Sequence, residues 1–421
     1  MRNHRLLARL AVVVCALLAV VTASPVGAAA ADPDDPLYPK QWNLGRVGAP
    51  WAWESATGEG VIVGVVDTGI DLSHPDLGDK VVATAECLDG GCRDGGGQDD
   101  NGHGTEVSGI VAATTDNSRG IAAVAPDAQL VVAKALDADG AGQVDDINNG
   151  IRWVVDHGAK VVNLSLGDED FELTSQVGTP LRPALDYAWS RGAVPVLASG
   201  NYRVGDADVQ SPNYGDVNAL VVGATTRSNE VAPYSTVVGN AKWGVAAPGG
   251  VGQGGGVDDN IITTDLGGGY AAVAGTSASA PHVSGALAVL MSMGLGADEA
   301  VERILVTLDT GGSCGNGCQG RLDLEAAVAS GGPTPAPAPA TTTPTTEPVL
   351  ENDSPPTGQA TAVDEPVVSA KGDTPASPGR GRNSAIVVIA GVLVVGMAAA
   401  TGSVGVGRLR GGGRLRAGGG W

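Results

Sequence analysis

Four polar residues occupy positions where their types could perform acyl transfer. Ser277 lies in Gly275-Thr276-Ser277-Ala278-Ser279-Ala280-Pro281, just ahead of an apolar run over residues 283–293 that predicts a helix. A serine at a helix start has its backbone N–H at the positive end of the dipole, where a developing oxyanion is stabilised. Serine is also a common N-cap, so this stretch alone is ambiguous. Asp67 follows the β-branched run Val61-Ile62-Val63-Gly64-Val65-Val66 and opens Asp67-Thr68-Gly69. An isolated Asp-Thr-Gly is often no more than a turn. His103 stands between Gly102 and Gly104, at the head of a small-residue helix expected over residues 107–113. A lone histidine there is more often structural, but glycine on both sides lets other backbone and substrate come close to the ring. Asn201 ends Ser199-Gly200-Asn201, directly after the apolar run 194–198. Together these residues offer a hydroxyl, an imidazole, a carboxylate and a carboxamide, the kinds of group acyl transfer uses.

The elements that must hold them alternate in type. Apolar runs at residues 61–66, 130–136, 160–166, 194–198 and 220–224 predict buried strands. Between them, Val144, Ile147, Ile151, Val154 and Val155 recur at helical spacing, and residues 181–189 predict another helix. A helical segment at 297–308 and a segment at 321–328 close the domain. Strands alternating with helices imply an α/β fold in three layers, a mostly parallel central sheet with helices on both faces. The four polar residues then fall at strand ends and helix starts on the carboxyl side, where open α/β sheets place their sites.

The flanks of this unit differ from it. Residues 1–31 carry Arg2, Arg5 and Arg9, an apolar run and an Ala28-Ala29-Ala30-Ala31 end, the pattern of a secretory signal. Residues 32–330 form the expected globular domain, opening with a polar and aromatic lead-in. Residues 331–384 are rich in Pro, Thr, Ala and Ser without apolar periodicity, as in an extended stalk. Residues 385–406 carry no charge and predict a membrane-crossing helix. Arg408, Arg410, Arg414 and Arg416 then mark residues 407–421 as a cytoplasmic tail. The expected location is a single-pass anchor in the cell membrane with the catalytic domain outside.

All 46 acidic residues lie between signal and anchor, against 18 of the 25 basic ones, which argues against nucleic acid as a partner. Cys15 leaves with the signal. Cys87, Cys92, Cys314 and Cys318 remain for an oxidising compartment. Their spacing favours Cys87–Cys92 and Cys314–Cys318, with the other pairings and a zinc site left open.

Several ordered blocks resemble those of the subtilisin-like serine proteases, the subtilases. They are Val65-Val66-Asp67-Thr68-Gly69-Ile70, His74-Pro75-Asp76-Leu77, Asn101-Gly102-His103-Gly104-Thr105, Asn163-Leu164-Ser165-Leu166-Gly167, Ala198-Ser199-Gly200-Asn201 and residues 275–285. The order Asp, His, Ser is the one found in subtilisin-type triads. The resemblance implies a subtilisin-like fold and an endopeptidase working on peptide and protein substrates. It implies Ser277 as nucleophile, His103 as base, Asp67 as its orienting carboxylate and Asn201 as an oxyanion donor. It also implies that Gly140, Gly142 and Ser165-Leu166-Gly167 pair with an extended substrate backbone. Similarity to thermitase-like members implies a structural Ca²⁺ held by Asp35, Asp76, Thr114, Asn117, Arg119 and Ile121.

Two positions depart from the family pattern: Ala278 stands where Met is usual, and Glu106 where His is common. About 35 residues separate the end of the signal from Asp67, too few for a folded pro-domain. The short N-terminal extension, stalk and anchor are similar to those of mycosins, the membrane proteases of type VII secretion. That likeness implies possible secretion-complex partners.

Overall fold

The computed structural model describes residues 32–166, 181–201, 214–252, 255–331, 386–388 and 395–396. Its main sheet has the order β3-β2-β4-β1-β6-β7-β8-β9. In chain order these are β1 (Ile62–Asp67), β2 (Val81–Glu86), β3 (Arg93–Asp94), β4 (Gln129–Lys134), β6 (Val161–Leu164), β7 (Val194–Ala198), β8 (Leu220–Thr225) and β9 (Trp243–Pro248). Every neighbouring pair is parallel except β2–β3. The strand order reverses at β1, which has β4 on one side and β6 on the other, so Asp67 ends the strand at the switch point.

Side-chain alternation along the strands sorts the core into two layers. Val63, Val65, Leu130, Val132, Val196 and Val222 face α3 (His103–Ala112) and α6 (Thr276–Ser292). Val66, Val131, Ala133, Val162, Leu197 and Val221 face α4 (Val144–Asp156) and α5 (Arg182–Ser190). Both faces are covered, which is why the strands read as continuous apolar runs. The fold is a subtilisin-like three-layer α/β arrangement, as expected.

The lead-in before β1 is more ordered than its composition signals. It forms the short helices α1 (Trp42–Val47) and α2 (Ala49–Ala52), with Leu44 and Val47 buried in the core. The domain ends in α7 (Ala297–Val306) and α8 (Leu324–Ala329). Cys87–Cys92 and Cys314–Cys318 form disulfides, the pairing favoured by their spacing.

Beyond the main sheet, β10 (Ile261–Asp265) and β11 (Gly269–Val273) form an antiparallel hairpin. β5 (Ala141–Gln143) pairs antiparallel with β12 (Ile386–Val388), and β11 pairs with β13 (Val395–Gly396). These last two strands belong to the segment expected as a membrane helix. The five residues described there are extended, and β-branched Ile and Val suit a strand as well as an apolar helix. The remainder of that segment, residues 1–31, and the stalk and tail lie outside the described residues. Among the described residues no single helix is long and apolar enough to cross a membrane.

Candidate active site

Asp67 reaches the site because β1 ends there, and its carboxylate is fully buried. Its Oδ1 accepts from the Thr68 N–H at 2.7 Å and lies 2.8 Å from His103 Nδ1. His103 is the first residue of α3, and the loop before it is shaped by Asp99. Asp99 Oδ1 accepts from the N–H groups of Asn101 and Gly102, and Oδ2 from the N–H and hydroxyl of Thr105. Burial pushes the Asp99 carboxyl up, but these donors outweigh it and hold the pKa below the usual carboxylate value. Asp99 therefore does the capping that the Gly102 position cannot do with a side chain.

Close packing brings the histidine turn onto the aspartate turn. Gly104 N–H donates to Thr68 Oγ1 at 2.9 Å, and a Cβ at Gly104 would sit 2.1 Å from the Gly69 carbonyl oxygen. Only glycine permits that approach. Lys134, the last residue of β4, is buried and fixes the same turn from below. Its Nζ donates to the carbonyls of Thr68 and Leu136 and to Asp100.

The electrostatics favour a charged imidazole. Burial lowers the His103 pKa, yet the Asp67 carboxylate, with Glu106 and Asp99 behind it, raises it to about 8. Glu106, one turn further along α3, is itself buried. Burial, with Asp265, Asp99 and Asp67 adding to it against His103, raises its pKa to about 7. His103 Nε2 and Asp67 Oδ2 are buried and have no hydrogen-bond partner among the described residues. With Nδ1 directed at Asp67, Nε2 is the nitrogen left to take a proton.

Ser277 is the second residue of α6, which begins at Thr276, earlier than the apolar run predicts. Gly275 holds the N-cap position, so Ser277 is not the N-cap. Asn201 is held by Thr276: Asn201 Oδ1 accepts from the Thr276 N–H at 2.8 Å and its hydroxyl at 3.0 Å. The amide oxygen is thus occupied and Nδ2 is the end free to donate. A Cβ built on Gly275 would lie 2.9 Å from Ser277 Oγ and 3.2 Å from Asn201 Nδ2. A side chain there would crowd both the hydroxyl and the carboxamide, so glycine lets the two groups stand close together.

Of the residues expected to bind substrate, Gly142 lies in β5 and Gly140 just before it, with the outer edge of β5 taken by Ile386–Val388. Ser165 and Leu166 are buried, Leu166 in the layer that faces α4 and α5, and the Ser165 hydroxyl donates to the Ser277 carbonyl of α6. Gly167 lies outside the described residues.

The six expected metal residues do gather. Asp35 and Asp76 are buried, and Asn117 bridges them, its N–H toward Asp35 Oδ1 at 3.4 Å and its Nδ2 toward Asp76 Oδ1 at 2.9 Å. Ile121 N–H donates to Asp76 Oδ2, Thr114 N–H to the Asp76 carbonyl and Arg119 N–H to Asn117 Oδ1. Burial raises the Asp35 pKa, and nearby Asp34 and Asp76 add to it against the N–H groups of Asp116 and Asn117. Carboxylate oxygens of Asp34, Asp35 and Asp116 lie within 4.8 Å of one another. This much negative charge in one oxygen-rich place suits a hard cation.

Fold and site define a serine hydrolase of the Asp-His-Ser type on an open parallel sheet. A model of the Subtilase family matches residues 58–310. Thermitase of Thermoactinomyces vulgaris is 36% identical over 301 residues, covering 70% of this chain and 99% of thermitase. Subtilisin Savinase of Lederbergia lenta is 39% identical over 250 residues, covering 59% of this chain and 83% of that protein. A solved protease from Pseudoalteromonas arctica superposes with a TM-score of 0.61 at 28% identity, covering 71% of this chain and 99% of that one. The chain belongs to the Subtilase family, and it is a serine endopeptidase.

Proposed function

We propose that this protein cleaves peptide bonds at the surface of the cell through an acyl-enzyme formed on Ser277. Ser277 Oγ attacks the scissile carbonyl while His103 Nε2 takes its proton and later returns it to the leaving amine. Asp67 holds the ring by Nδ1 and stabilises the imidazolium. Asn201 Nδ2 and the Ser277 N–H receive the oxyanion. The observation that carries this reading is the buried Asp67–His103 pair at 2.8 Å, whose outer nitrogen is unpartnered. In an enzyme without substrate such a nitrogen need not touch the serine, because these bonds tighten on binding. Substrate backbone adds as a strand between β5, with Gly140 and Gly142, and the Ser165-Leu166-Gly167 segment. A fluorophosphonate probe should label Ser277 in the wild type and leave Ser277→Ala unlabelled at an unchanged melting temperature. An unlabelled, folded wild type would sink the reading.

Ca²⁺ fits the loop around Asp76. Asp35, Asp76 and Asn117 would hold it with their side chains, and Thr114, Arg119 and Ile121 with their carbonyls. When bound, the ion neutralises buried carboxylates and ties the N-terminal lead-in to the domain. Chelator should then lower the melting temperature and added calcium should restore it. An identical melt with and without chelator counts against the ion.

The uncharged segment 385–406 followed by four arginines supports a membrane anchor, and with the stalk it supports a mycosin-like place beside a secretion complex. A second reading of the same segment has an observation behind it, since Ile386–Val388 pair with the expected substrate edge β5. Truncation after Gly331 separates them. Loss of membrane fractionation at unchanged turnover of soluble peptides supports the anchor, and a rise in turnover supports an occluding strand.

A further inference from the structure

Pro281 stands four residues after Ser277 in α6. Proline has no N–H, so the Ser277 carbonyl lacks the helical donor it would otherwise have. That carbonyl is filled from outside the helix by Ser165 Oγ, which donates to it at 2.8 Å. Ser165 Oγ in turn accepts from Asn163 Nδ2 at 2.8 Å. Asn163 Oδ1 accepts from Ser284 Oγ, also at 2.8 Å, which returns the chain to α6 two turns further on. Asn163, Ser165 and Ser284 are all at most 1% exposed.

The placement is specific. Asn163 lies in β6, paired with Val65 of the strand that ends in Asp67 and with Val196 of the strand that leads to Asn201. The chain of donors therefore runs from the centre of the sheet to the nucleophile's own peptide. On the other side of Ser277, the Thr276 N–H is held by Asn201 Oδ1. Ser277 is gripped from both directions, one grip on the peptide before Thr276 and one on its own carbonyl. Rotation of the first turn of α6 would break one or the other. Such a turn carries both groups the reaction needs, the Oγ and the N–H of Ser277.

We propose that Asn163 and Ser165 are positioning residues for acyl transfer, fixing the nucleophile through the Ser277 carbonyl that Pro281 leaves free. Neither touches the reacting atoms. The hydroxyl of Ser165 serves the nucleophile, while any pairing with substrate at this segment is made by its backbone. The proposal rests on Ser277 being the nucleophile.

The test is Ser165→Ala in the full-length protein, with Ser165→Thr as the variant that keeps a hydroxyl. Two rates are read: kcat and KM on a peptide, and the second-order rate of fluorophosphonate labelling, which needs no extended substrate. The expected result for Ser165→Ala is a fall of about 10- to 100-fold in both kcat and labelling rate, the size of a small misplacement of a reacting group. KM should stay near the wild-type value, and Ser165→Thr should recover part of the loss. Should Ser165→Ala not fold, Ser284→Ala removes only the far donor and should show the same pattern at smaller size. A rise in KM at unchanged kcat overturns the proposal, because it puts the side chain in substrate binding. A lowered melt with kcat, KM and labelling all unchanged also overturns it, because that is the signature of a structural role alone. A wild type that does not label at all is a different failure, that of the nucleophile assignment itself.

Discussion

The two halves of the catalytic centre treat their polar groups in opposite ways. On the nucleophile side the Ser277 carbonyl, the Thr276 N–H and the Asn201 amide oxygen all have partners within 3.0 Å. On the base side two buried atoms, Asp67 Oδ2 and His103 Nε2, have none among the described residues. The satisfied half fixes position. The unsatisfied half keeps an acceptor open for a proton, and it also gathers the carboxyl groups, Asp67, Glu106 and Asp99, that set when His103 is neutral.

Breaking each half should therefore give a different kind of loss. Ser277→Ala is the largest, about 10⁶-fold in kcat, the size found for the nucleophile of a subtilisin. Asp67→Asn follows at about 10⁴-fold, since the ring loses its orienting acceptor. It should also move the pH profile. In the wild type kcat/KM should rise with pH as His103 loses its proton near 8, and in the variant that rise should come at lower pH. Stability runs the other way. His103 has its pKa raised by folding, so the pair stabilises the fold fully below about 6.5, and the contribution is lost as pH rises through about 8. Thermal melts of wild type and Asp67→Asn across that range check the sign.

Asn201→Ala tests the satisfied half. Removing an oxyanion donor of this kind costs a subtilisin about 10²–10³ in kcat, and the same loss is expected here with KM near its wild-type value. The pH at which activity rises should stay at its wild-type value, because Asn201 does not face His103. A shifted limb in this variant would mean that the two halves are not separate. Initial rates against substrate at several pH values decide it.

The same division explains what could be read from the chain without its structure. The places of Asp67, His103, Asn201 and Ser277 were legible because each sits by the end of an apolar run or the start of a helix. The two disulfides were legible from spacing. Asp99 and Lys134 were not. Asp99 lies in a run of Gly and Asp whose pattern does not single out which carboxylate will cap α3, and Lys134 falls inside the run 130–136, with nothing in the pattern to show that Thr68 and Leu136 offer it their carbonyls. Ser165 read as part of a substrate segment, and only the packing of β6 against α6 turns its hydroxyl to the Ser277 carbonyl. β9 was missed because Trp243-Gly244-Val245-Ala246-Ala247-Pro248 has weak strand propensity and becomes a strand where β8 offers it a ladder. The lead-in around Trp42 lacks a long periodic run, yet Leu44 and Val47 enter the core.

The smallest effect should come from Glu106, the residue that departs from the family pattern on the base side. Its charge favours the protonated form of His103, and its own pKa is raised to about 7 by burial and by Asp265, Asp99 and Asp67. Glu106→Gln keeps the shape and removes the charge. His103 should then lose its proton at lower pH, so activity near neutral pH should rise modestly, with kcat above pH 9 close to wild type. The stability change has its own sign. Folding raises the Glu106 pKa, so the wild type should lose stability as pH rises from about 4.5 to about 7, while the unfolded chain ionises and the folded one resists. The variant lacks that slope, and its melting temperature should fall less across the same range. If both slopes coincide, Glu106 ionises in the fold as readily as in water, and the base side is set by Asp67 and Asp99 without it.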